Sequence, residues 1–253
     1  QLKKHKMKNL IYIFLLTAQV FFAQKGFENG NALYQKGKYQ EAIKAYETEL
    51  SSNKQSAELY FNIGNCYYKL NEVALSIFYY EKALLLDPAS KDIEINLGFA
   101  QKMTVDSIEQ IPESGFSKWF TQTLNSLSVD GWAIRCVGLS FLFVTLFLCY
   151  LLSYSESKKR VFFVSSSLVL VLLVSSLLLL FNKDSLNRSI HPAIVFVKEV
   201  DVKLEPNLGS ETVFMLHEGT KVLVIERYES DWSKVKLQNG ETGWIAKSKL
   251  KEL

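Results

Sequence analysis

The side chains that most often carry out chemistry are few in this chain and lie far apart. The 253 residues include three cysteines and three histidines: Cys66, Cys136, Cys149, His5, His191 and His217. A metal site needs several such ligands in one place, and a nucleophile needs an adjacent base. The carboxylates of Glu47 and Glu49 fall on opposite sides of a predicted helix, which is typical of a solvated surface. The sequence therefore predicts no metal, no cofactor and no enzymatic activity.

The charge of the chain also argues against a nucleic-acid partner. The formal net charge is +3, from 29 Lys and Arg against 26 Asp and Glu. Four of the lysines lie within the first eight residues, and the rest of the chain has 25 basic and 26 acidic residues. Phosphate binding needs a concentrated basic face, which a nearly neutral chain does not supply. We expect proteins or peptides as partners and no nucleic acid.

A period of 34 residues runs through the N-terminal part of the chain. The residues that recur at this spacing are Gly30 with Gly64 and Gly98, Asn31 with Asn65, Tyr46 with Tyr80, and Asn62 with Asn96. Self-similarity at this length is typical of stacked helix pairs. Glycine is expected where two helices approach closely, and large apolar residues where they interlock.

These residues resemble the tetratricopeptide repeat. The matching positions are Gly30, Gly37, Lys38, Tyr39, Ala42 and Tyr46 in the first repeat, and Tyr60, Ile63, Gly64, Tyr67, Tyr80, Ala83 and Pro88 in the second. The segment 24–103 is predicted to hold two repeats and a capping helix that starts at Lys91. Three or more repeats are usually needed for stability, so we expect a neighbouring domain or a partner to support this array.

The resemblance implies that a peptide binds in the concave groove lined by the first helix of each pair. Helical spacing predicts that the groove is lined by Phe27, Asn31, Tyr34, Phe61, Asn65, Tyr68, Lys69, Phe99 and Lys102. Each aromatic residue of this set could instead pack in the core, and the sequence leaves both interpretations open. The family's carboxylate-clamp variant needs basic side chains where this chain has Phe27, Phe61 and Asp92. Recognition of a free C-terminal carboxylate is therefore not expected.

The first 23 residues have the composition of a secretory signal peptide. Lysines from Lys3 to Lys8 precede an apolar core at 10–16, and cleavage is predicted after Ala23. An uncleaved N-terminal anchor is the alternative. Either reading predicts that the segment after it is exported.

Two later segments are apolar and long enough to cross a bilayer, for which about 20 residues suffice. Transmembrane helices are predicted at 132–154 and 161–181, joined by a loop at 155–160 that carries Lys158, Lys159 and Arg160. Cytoplasmic loops are enriched in Lys and Arg. The loop is therefore predicted to be cytoplasmic, and both flanking domains periplasmic.

The segment 104–131 links the repeats to the first span. It contains a predicted amphipathic helix with one apolar face, formed by Phe116, Trp119, Phe120, Leu124 and Leu127. A helix of this kind next to a span is predicted to lie in the membrane interface. Packing beneath the repeat domain is the alternative.

The segment 192–253 has short β-rich runs, at 194–198, 221–227 and 232–237. Asn239-Gly240 predicts a two-residue type I′ hairpin turn, and about five short strands suit a small barrel. The segment resembles the bacterial SH3-like domain at 204–206, 219–220, 231–235, 239–240 and 243–245. Trp232 and Trp244 are candidate ligand-binding residues of this barrel, and closing its core is the alternative role.

The predicted fold class is a multidomain membrane protein, with an all-α tetratricopeptide repeat domain, a two-helix transmembrane hairpin and a C-terminal all-β SH3-like barrel. This order resembles the tetratricopeptide protein of the Bat aerotolerance operon of Bacteroidetes-type bacteria. The resemblance implies a non-enzymatic scaffold of the inner membrane in an oxidative-stress complex. Its implied partners are von Willebrand A-domain membrane proteins and a MoxR-type ATPase. A sensor that binds peptidoglycan is the alternative.

Overall fold

A computed structural model describes residues 25–51, 55–108, 115–189, 191–229 and 231–253. The predicted signal peptide at 1–23 lies outside the described residues. Within them, the chain forms eight α-helices followed by a seven-stranded antiparallel sheet. The predicted fold class is therefore confirmed at the level of a helical domain, two long apolar helices and a C-terminal all-β domain.

The N-terminal helices form two antiparallel pairs and one further helix, which we call the repeat domain. Their bounds are α1 Lys25–Gln35, α2 Tyr39–Ser51, α3 Ala57–Lys69, α4 Val73–Leu86 and α5 Lys91–Gln101. Gly37 and Asn71 lie 34 residues apart, and both have positive φ, at 73° and 63°. Glycine and asparagine tolerate this conformation best, so each can end the first helix of a pair at the same place.

Glycine and tyrosine set the close approach within each helix pair. A Cβ atom on Gly64 would lie 2.6 Å from Cδ1 of Tyr80, and a Cβ on Gly30 would overlap the Tyr46 ring. Both tyrosines are buried. The 34-residue period of the sequence thus reflects a repeated contact, because in both pairs a tyrosine of the second helix packs on a glycine of the first helix.

Three helices connect the repeats to the sheet. They are α6 Gly115–Leu124, α7 Val129–Leu152 and α8 Glu156–Ser189. Helices α7 and α8 pack side by side, and both are long and apolar enough to cross a membrane. Their apolar side chains are largely exposed, unlike those of a buried core helix.

Both helices of this hairpin start earlier in the structure than hydropathy predicts. Helix α7 starts at Val129 rather than 132, because the Ser128 hydroxyl caps it by accepting a hydrogen bond from the Gly131 N–H at 3.1 Å. Helix α8 starts at Glu156, so Lys158 to Arg160 lie in its first turns and not in a loop. An acidic residue in the first turn favours the helix, and Lys and Arg are good helix formers. Hydropathy marks the apolar part of a helix and not its ends.

Helix α6 presents two of its three aromatic residues to the outside. Phe116 and Trp119 are 75% and 59% exposed, and their ring centroids lie 5.6 Å apart. Leu124 is buried, and Leu127 lies beyond the end of the helix. The exposure of Phe116 and Trp119 speaks against the alternative in which this face packs beneath the repeat domain.

Residues 191–253 form the β-domain. Its strands are β1 His191–Val195, β2 Glu199–Lys203, β3 Thr212–His217, β4 Lys221–Tyr228, β5 Trp232–Lys236, β6 Thr242–Ala246 and β7 Leu250–Glu252. Their order in the sheet is β3-β2-β6-β5-β4-β1-β7, around a single apolar core. Seven strands form rather than the expected five. Strands β2 and β3 each bury one residue and β7 has three residues, so none of them has a strong sequence pattern.

The turn between β5 and β6 also differs from the prediction. The Leu237 N–H donates to the carbonyl of Glu241 at 2.8 Å, which closes a three-residue loop. Of its residues only Gly240 has positive φ, at 92°. A type I turn followed by a left-handed glycine is the usual three-residue hairpin, and it does not need the positive φ at Asn239 that a type I′ turn requires.

The β-domain packs directly against the repeat domain. Ile194 of β1 is fully buried in the same apolar cluster as Ile77 and Phe78 of α4. Phe196 contacts Phe78 edge-on, with ring centroids 5.8 Å apart. Gly219 lies so close to α4 that a Cβ there would be 3.1 Å from Cδ1 of Ile77. The β-domain thus provides the support that two repeats and one extra helix were expected to need.

Candidate peptide-binding site

Two asparagines of the predicted groove hold the repeats together. Oδ1 of Asn65 accepts hydrogen bonds from the Tyr80 hydroxyl at 2.7 Å and from Nδ2 of Asn96 at 2.8 Å. Oδ1 of Asn31 accepts the equivalent bonds from Tyr46 at 2.6 Å and from Nδ2 of Asn62 at 3.1 Å. The side-chain amide of Asn62 is therefore linked through Asn31 to Tyr46 of the preceding repeat. The side-chain amide of Asn96 is linked in the same way through Asn65 to Tyr80. Asn31 and Asn65 position the groove through their carbonyl oxygens.

The hydroxyls in these two networks stay protonated. Burial raises the pKa of Tyr46 and Tyr80 well above the usual value, and neighbouring groups modify this effect. A protonated phenol donates its hydrogen bond to Asn31 or Asn65 throughout the neutral range. The groove is thus built on a scaffold of hydrogen bonds that does not titrate near neutrality.

Phe27 and Phe61 contribute to helix packing rather than to an open surface. The Phe27 ring lies 5.9 Å from Tyr46, and the Phe61 ring lies 5.8 Å from Tyr80. Both phenylalanines are half-buried against the apolar clusters of the repeats. The sequence left open whether Phe27 and Phe61 line the groove or pack in the core. Their contacts favour packing.

Five of the predicted groove residues line one cavity, which we call the groove cavity. Its volume is about 190 Å³, and it is lined by Tyr34, Asn65, Tyr68, Lys69, Tyr80, Asn96 and Phe99. Phe99 is 50% exposed. The cavity spans three successive first helices, α1, α3 and α5, as a groove for an extended chain must.

The groove cavity has positive charge and no carboxylate among its lining residues. Lys69 is exposed, and Nζ of Lys102 lies 5.6 Å from the centroid of the Phe99 ring. Lys102 itself lines a second and larger cavity. Aromatic faces and lysines together favour a ligand that has aromatic and acidic side chains.

The second cavity lies between the two domains, and we call it the interdomain cavity. Its volume is about 570 Å³, and its lining includes Gly98, Gln101 and Lys102 of the repeat side and Gly219, Lys221 and Gln238 of the β-domain. Asp106 and Thr220 lie in its wall.

Asp106 joins the two domains at this wall. Its Oδ2 accepts hydrogen bonds from the His217 backbone N–H at 2.7 Å and from the Thr220 hydroxyl at 2.5 Å, and its Oδ1 lies 2.7 Å from Nδ1 of His217. Burial alone would raise the pKa of this carboxyl. The hydrogen bonds from Thr220 and His217 and the charge of His217 outweigh burial, so the pKa of Asp106 is lowered.

An ion pair also joins the two domains. Nζ of Lys221 lies 2.6 Å from Oε2 of Glu81 on α4, and Glu81 is only 6% exposed. A buried carboxylate needs such a partner, because transfer of an unpaired charge out of water is costly.

The predicted tryptophans of the β-domain lie outside its core. Ser233 and Ile245 pair across β5 and β6 and are buried in the barrel, so their neighbours Trp232 and Trp244 fall on the opposite face. Trp244 is 8% exposed and is covered by Tyr228, at a ring distance of 6.2 Å, and by Nζ of Lys234 at 5.6 Å. Trp244 is thus buried on the outer face of the sheet, and of the two tryptophans Trp232 alone is partly accessible.

The sequence did not indicate the contacts between the domains. Asp106 and His217 are 111 residues apart, and Glu81 and Lys221 are 140 residues apart. Neither pair has a local motif. The incomplete repeat array did predict a supporting domain or partner, but it did not indicate which residues make the contact.

Comparison with known families supports the same division of the chain. Residues 30–71 match the family described as TPR repeat, and residues 57–90 match the family described as tetratricopeptide repeat. Residues 198–251 match the bacterial SH3 domain family. A search among curated proteins finds no match.

Proposed function

We propose that this chain is a membrane-anchored scaffold without enzymatic activity, and that its repeat groove binds segments of partner proteins. The observation that carries the proposal is the groove cavity, in which Tyr34, Tyr68 and Phe99 meet from three helices beside Lys69. Domains of the two matched families support binding of proteins or peptides. The groove residues are held from behind by the Asn65 network, so the surface is formed before a ligand arrives.

The membrane part of the proposal rests on α7 and α8. Each contains a stretch of at least 18 residues with high mean hydropathy, and the apolar surface of both helices is largely exposed. A bilayer would cover this surface. The repeat domain and the β-domain touch each other, so the hairpin must return to the side on which it started. Lys158 to Arg160 at its tip favour a cytoplasmic tip and periplasmic domains.

The physiological setting is proposed from the resemblance to the Bat aerotolerance operon protein. In that setting the chain is part of an oxidative-stress complex of the envelope. Its partners are von Willebrand A-domain membrane proteins and a MoxR-type ATPase system. The groove of the repeat domain is a suitable surface for the extramembrane segments of such partners.

A scaffold is favoured over a hydrolase by the arrangement at Asp106. A nucleophile needs its base within hydrogen-bond reach. The Thr220 hydroxyl does donate to the Asp106 carboxylate, but hydrogen bonds and the charge of His217 lower the pKa of Asp106 and make it a weak base. These three residues hold the domains together, and we assign them no catalytic role.

Co-purification from native membranes tests the scaffold proposal. The full chain is compared with the variant Tyr68→Ala/Lys69→Ala/Phe99→Ala, whose residues face the groove cavity outside the Asn31 and Asn65 networks. The proposal predicts that membrane-protein partners are lost with this variant and kept with Lys44→Ala/Glu47→Ala, a control on exposed positions of α2. Unchanged partners with the groove variant would contradict it.

Topology is tested with reporter insertions. A reporter inserted after Ser155, in the short connection between α7 and α8, is expected to be active only in the form that works in the cytoplasm. A reporter after Leu253 is expected to be active only in the exported form. The opposite pattern would reverse the orientation.

A second candidate function is binding of cell-wall peptides by the β-domain. It is favoured by one observation: Trp232 and the half-exposed Tyr228 pair across β4 and β5 on the outer face. The test uses the full chain, because Ile194 and Phe196 would be exposed in an isolated β-domain. Sedimentation with peptidoglycan that Trp232→Ala abolishes would support this function, and absence of sedimentation would exclude it.

A further inference from the structure

Gly98 is the third glycine of the 34-residue period, and its surroundings differ from those of the first two. The Cβ positions of Gly30 and Gly64 are covered by Tyr46 and Tyr80. Among the residues that the structure describes, no atom lies within 4 Å of a Cβ placed on Gly98. In the described residues, α5 is not followed by a second helix of a pair, so no third tyrosine covers this glycine.

Gly98 lines the interdomain cavity, whereas Gly30 and Gly64 each face a tyrosine ring. Gly98 lines it from α5, and Gly219 and Gln238 line it from the β-domain. Its volume of about 570 Å³ is within the range of about 300–1,000 Å³ that is usual for ligand pockets. A ligand-sized space thus lies between Gly98 of α5 and the β-domain.

The interdomain cavity is adjacent to the groove cavity. Phe99 lines the groove cavity and Lys102 lines the interdomain cavity, and the Lys102 ammonium lies 5.6 Å from the Phe99 ring. Phe99 lies in the last turn of α5, and Lys102 directly follows that helix. A peptide that lies in the groove therefore reaches the cavity by passing Phe99 and Lys102.

The charges of the interdomain cavity indicate what it binds. Lys221 is paired with Glu81, and Asp106 is satisfied by His217 and Thr220. Lys102 has no carboxylate partner within the part of the chain that the structure describes. Gln101 and Gln238 add amide groups to the wall. The cavity thus offers an unpaired ammonium, polar donors and acceptors, and an uncovered glycine.

We propose that the cavity over Gly98 binds a tyrosine side chain of a partner peptide, with an adjacent acidic residue paired to Lys102. The partner supplies the ring that Tyr46 and Tyr80 supply in the two complete repeats. Both domains then contact the same peptide. This inference rests on the proposed function, because it assigns a side-chain preference to a peptide that already lies in the groove.

Peptide binding to the full chain in detergent micelles tests the inference. The probes are fluorescent peptide pools with a fixed Glu-Tyr, Glu-Leu or Lys-Tyr pair at the centre and randomised neutral residues around it. Fluorescence anisotropy should show tightest binding of the Glu-Tyr pool. Gly98→Leu, which fills the cavity, should weaken this binding at least about tenfold, as loss of a central binding pocket does.

Two further variants keep the test independent of folding. No atom of the described residues lies within 4 Å of the Gly98 Cβ position, and leucine is a better helix former than glycine. The thermal stability of Gly98→Leu should therefore not fall. Lys44→Leu, at an exposed position of α2 that lines neither cavity, is the control and should bind the Glu-Tyr pool like the wild type. Lys102→Glu should change the preference from Glu-Tyr to Lys-Tyr.

The outcomes separate this inference from the proposed function. If Tyr68→Ala and Lys69→Ala weaken peptide binding while Gly98→Leu and Lys102→Glu do not, the groove proposal stands and the inference is overturned. Equal binding of the Glu-Tyr and Glu-Leu pools also overturns it. Loss of tyrosine preference with Gly98→Leu supports it.

Discussion

Nδ1 of His217 lies 2.7 Å from Oδ1 of Asp106, and this contact joins the β-domain to the segment that follows the last repeat helix. The same carboxylate accepts bonds from the His217 backbone and from Thr220. One aspartate thereby fixes the turn between β3 and β4 against the end of the repeat domain. The position of the β-domain, and so the shape of the interdomain cavity, depends on this residue.

Acid is expected to weaken the contact between the domains. The pKa of Asp106 is lowered in the folded protein from an ordinary value of 3.8. A lowered pKa means that the folded state favours the charged form, so its stabilising effect is complete above about pH 4 to 5 and is lost as the pH falls through the lowered pKa. Urea unfolding of the full chain followed between pH 2 and 7 checks this.

The variant Asp106→Asn isolates that effect. It leaves the hydrogen-bond donors of His217 and Thr220 with a weaker acceptor, and we expect a loss of about 1–3 kcal/mol at pH 7. The difference from the wild type should shrink below pH 4. Glu47→Gln, at an exposed position in the middle of α2, is the control and should leave the pH profile unchanged. A constant difference at all pH values would mean that Asp106 does not act through its charge.

The Glu81–Lys221 pair should show strong coupling between the domains. Lys221→Met leaves the buried Glu81 carboxylate without its partner at 2.6 Å, and we expect a loss of about 2–3 kcal/mol, less than for a fully buried pair because Lys221 is partly exposed. Lys221→Met combined with Glu81→Leu should recover most of the loss. Additive losses in the double-mutant cycle would show that the two side chains do not interact.

The three periodic glycines should differ in their response to alanine. Gly64→Ala places a methyl group 2.6 Å from the buried Tyr80 ring, and we expect a loss of about 1–3 kcal/mol from overpacking. Gly98→Ala meets no atom of the described residues and should stabilise the protein by up to about 1 kcal/mol through helix propensity. Thermal unfolding of both variants provides the comparison. Equal losses at both positions would mean that helix pairing does not set the glycine period.

Cys66 provides a local probe of the repeat domain. Burial raises its pKa to about 12, so the thiol stays protonated and inert. In a Cys136→Ser/Cys149→Ser background, Cys66 should react with a thiol reagent only when the repeats open. Phe196→Ala removes a ring that packs on Phe78 and should increase the reaction rate. An unchanged rate would show that the β-domain does not stabilise the repeats.

The 34-residue period predicted the repeat domain because its glycine and tyrosine contacts are local to each helix pair. Long apolar runs predicted α7 and α8, since hydropathy alone defines them. The start of α8 at Glu156 could not be predicted in this way, because a polar helix end has no hydropathy signal. The number of strands was underestimated for the same reason: β2, β3 and β7 have weak patterns and depend on pairing with stronger strands.

The candidate site was predicted in part. Tyr34, Tyr68, Lys69 and Phe99 follow from helical register and do meet in one cavity. Register does not show that the oxygen of Asn65 is already used by Tyr80, because a side-chain network depends on rotamers and distances. The interdomain cavity depends on contacts between residues more than 100 positions apart, such as Asp106 and His217, which no local pattern encodes.

Site-specific photo-crosslinking tests the central claim, that partner proteins bind in the repeat groove, most directly. A photoreactive amino acid is placed at Tyr68 in the groove or at Lys44 on the exposed side of α2, in the full chain in native membranes. Mass spectrometry then identifies the residues joined to each position. The account predicts that position 68 captures a contiguous segment of a membrane-protein partner and that position 44 does not. Equal capture at both positions, or capture at position 44 alone, would contradict it.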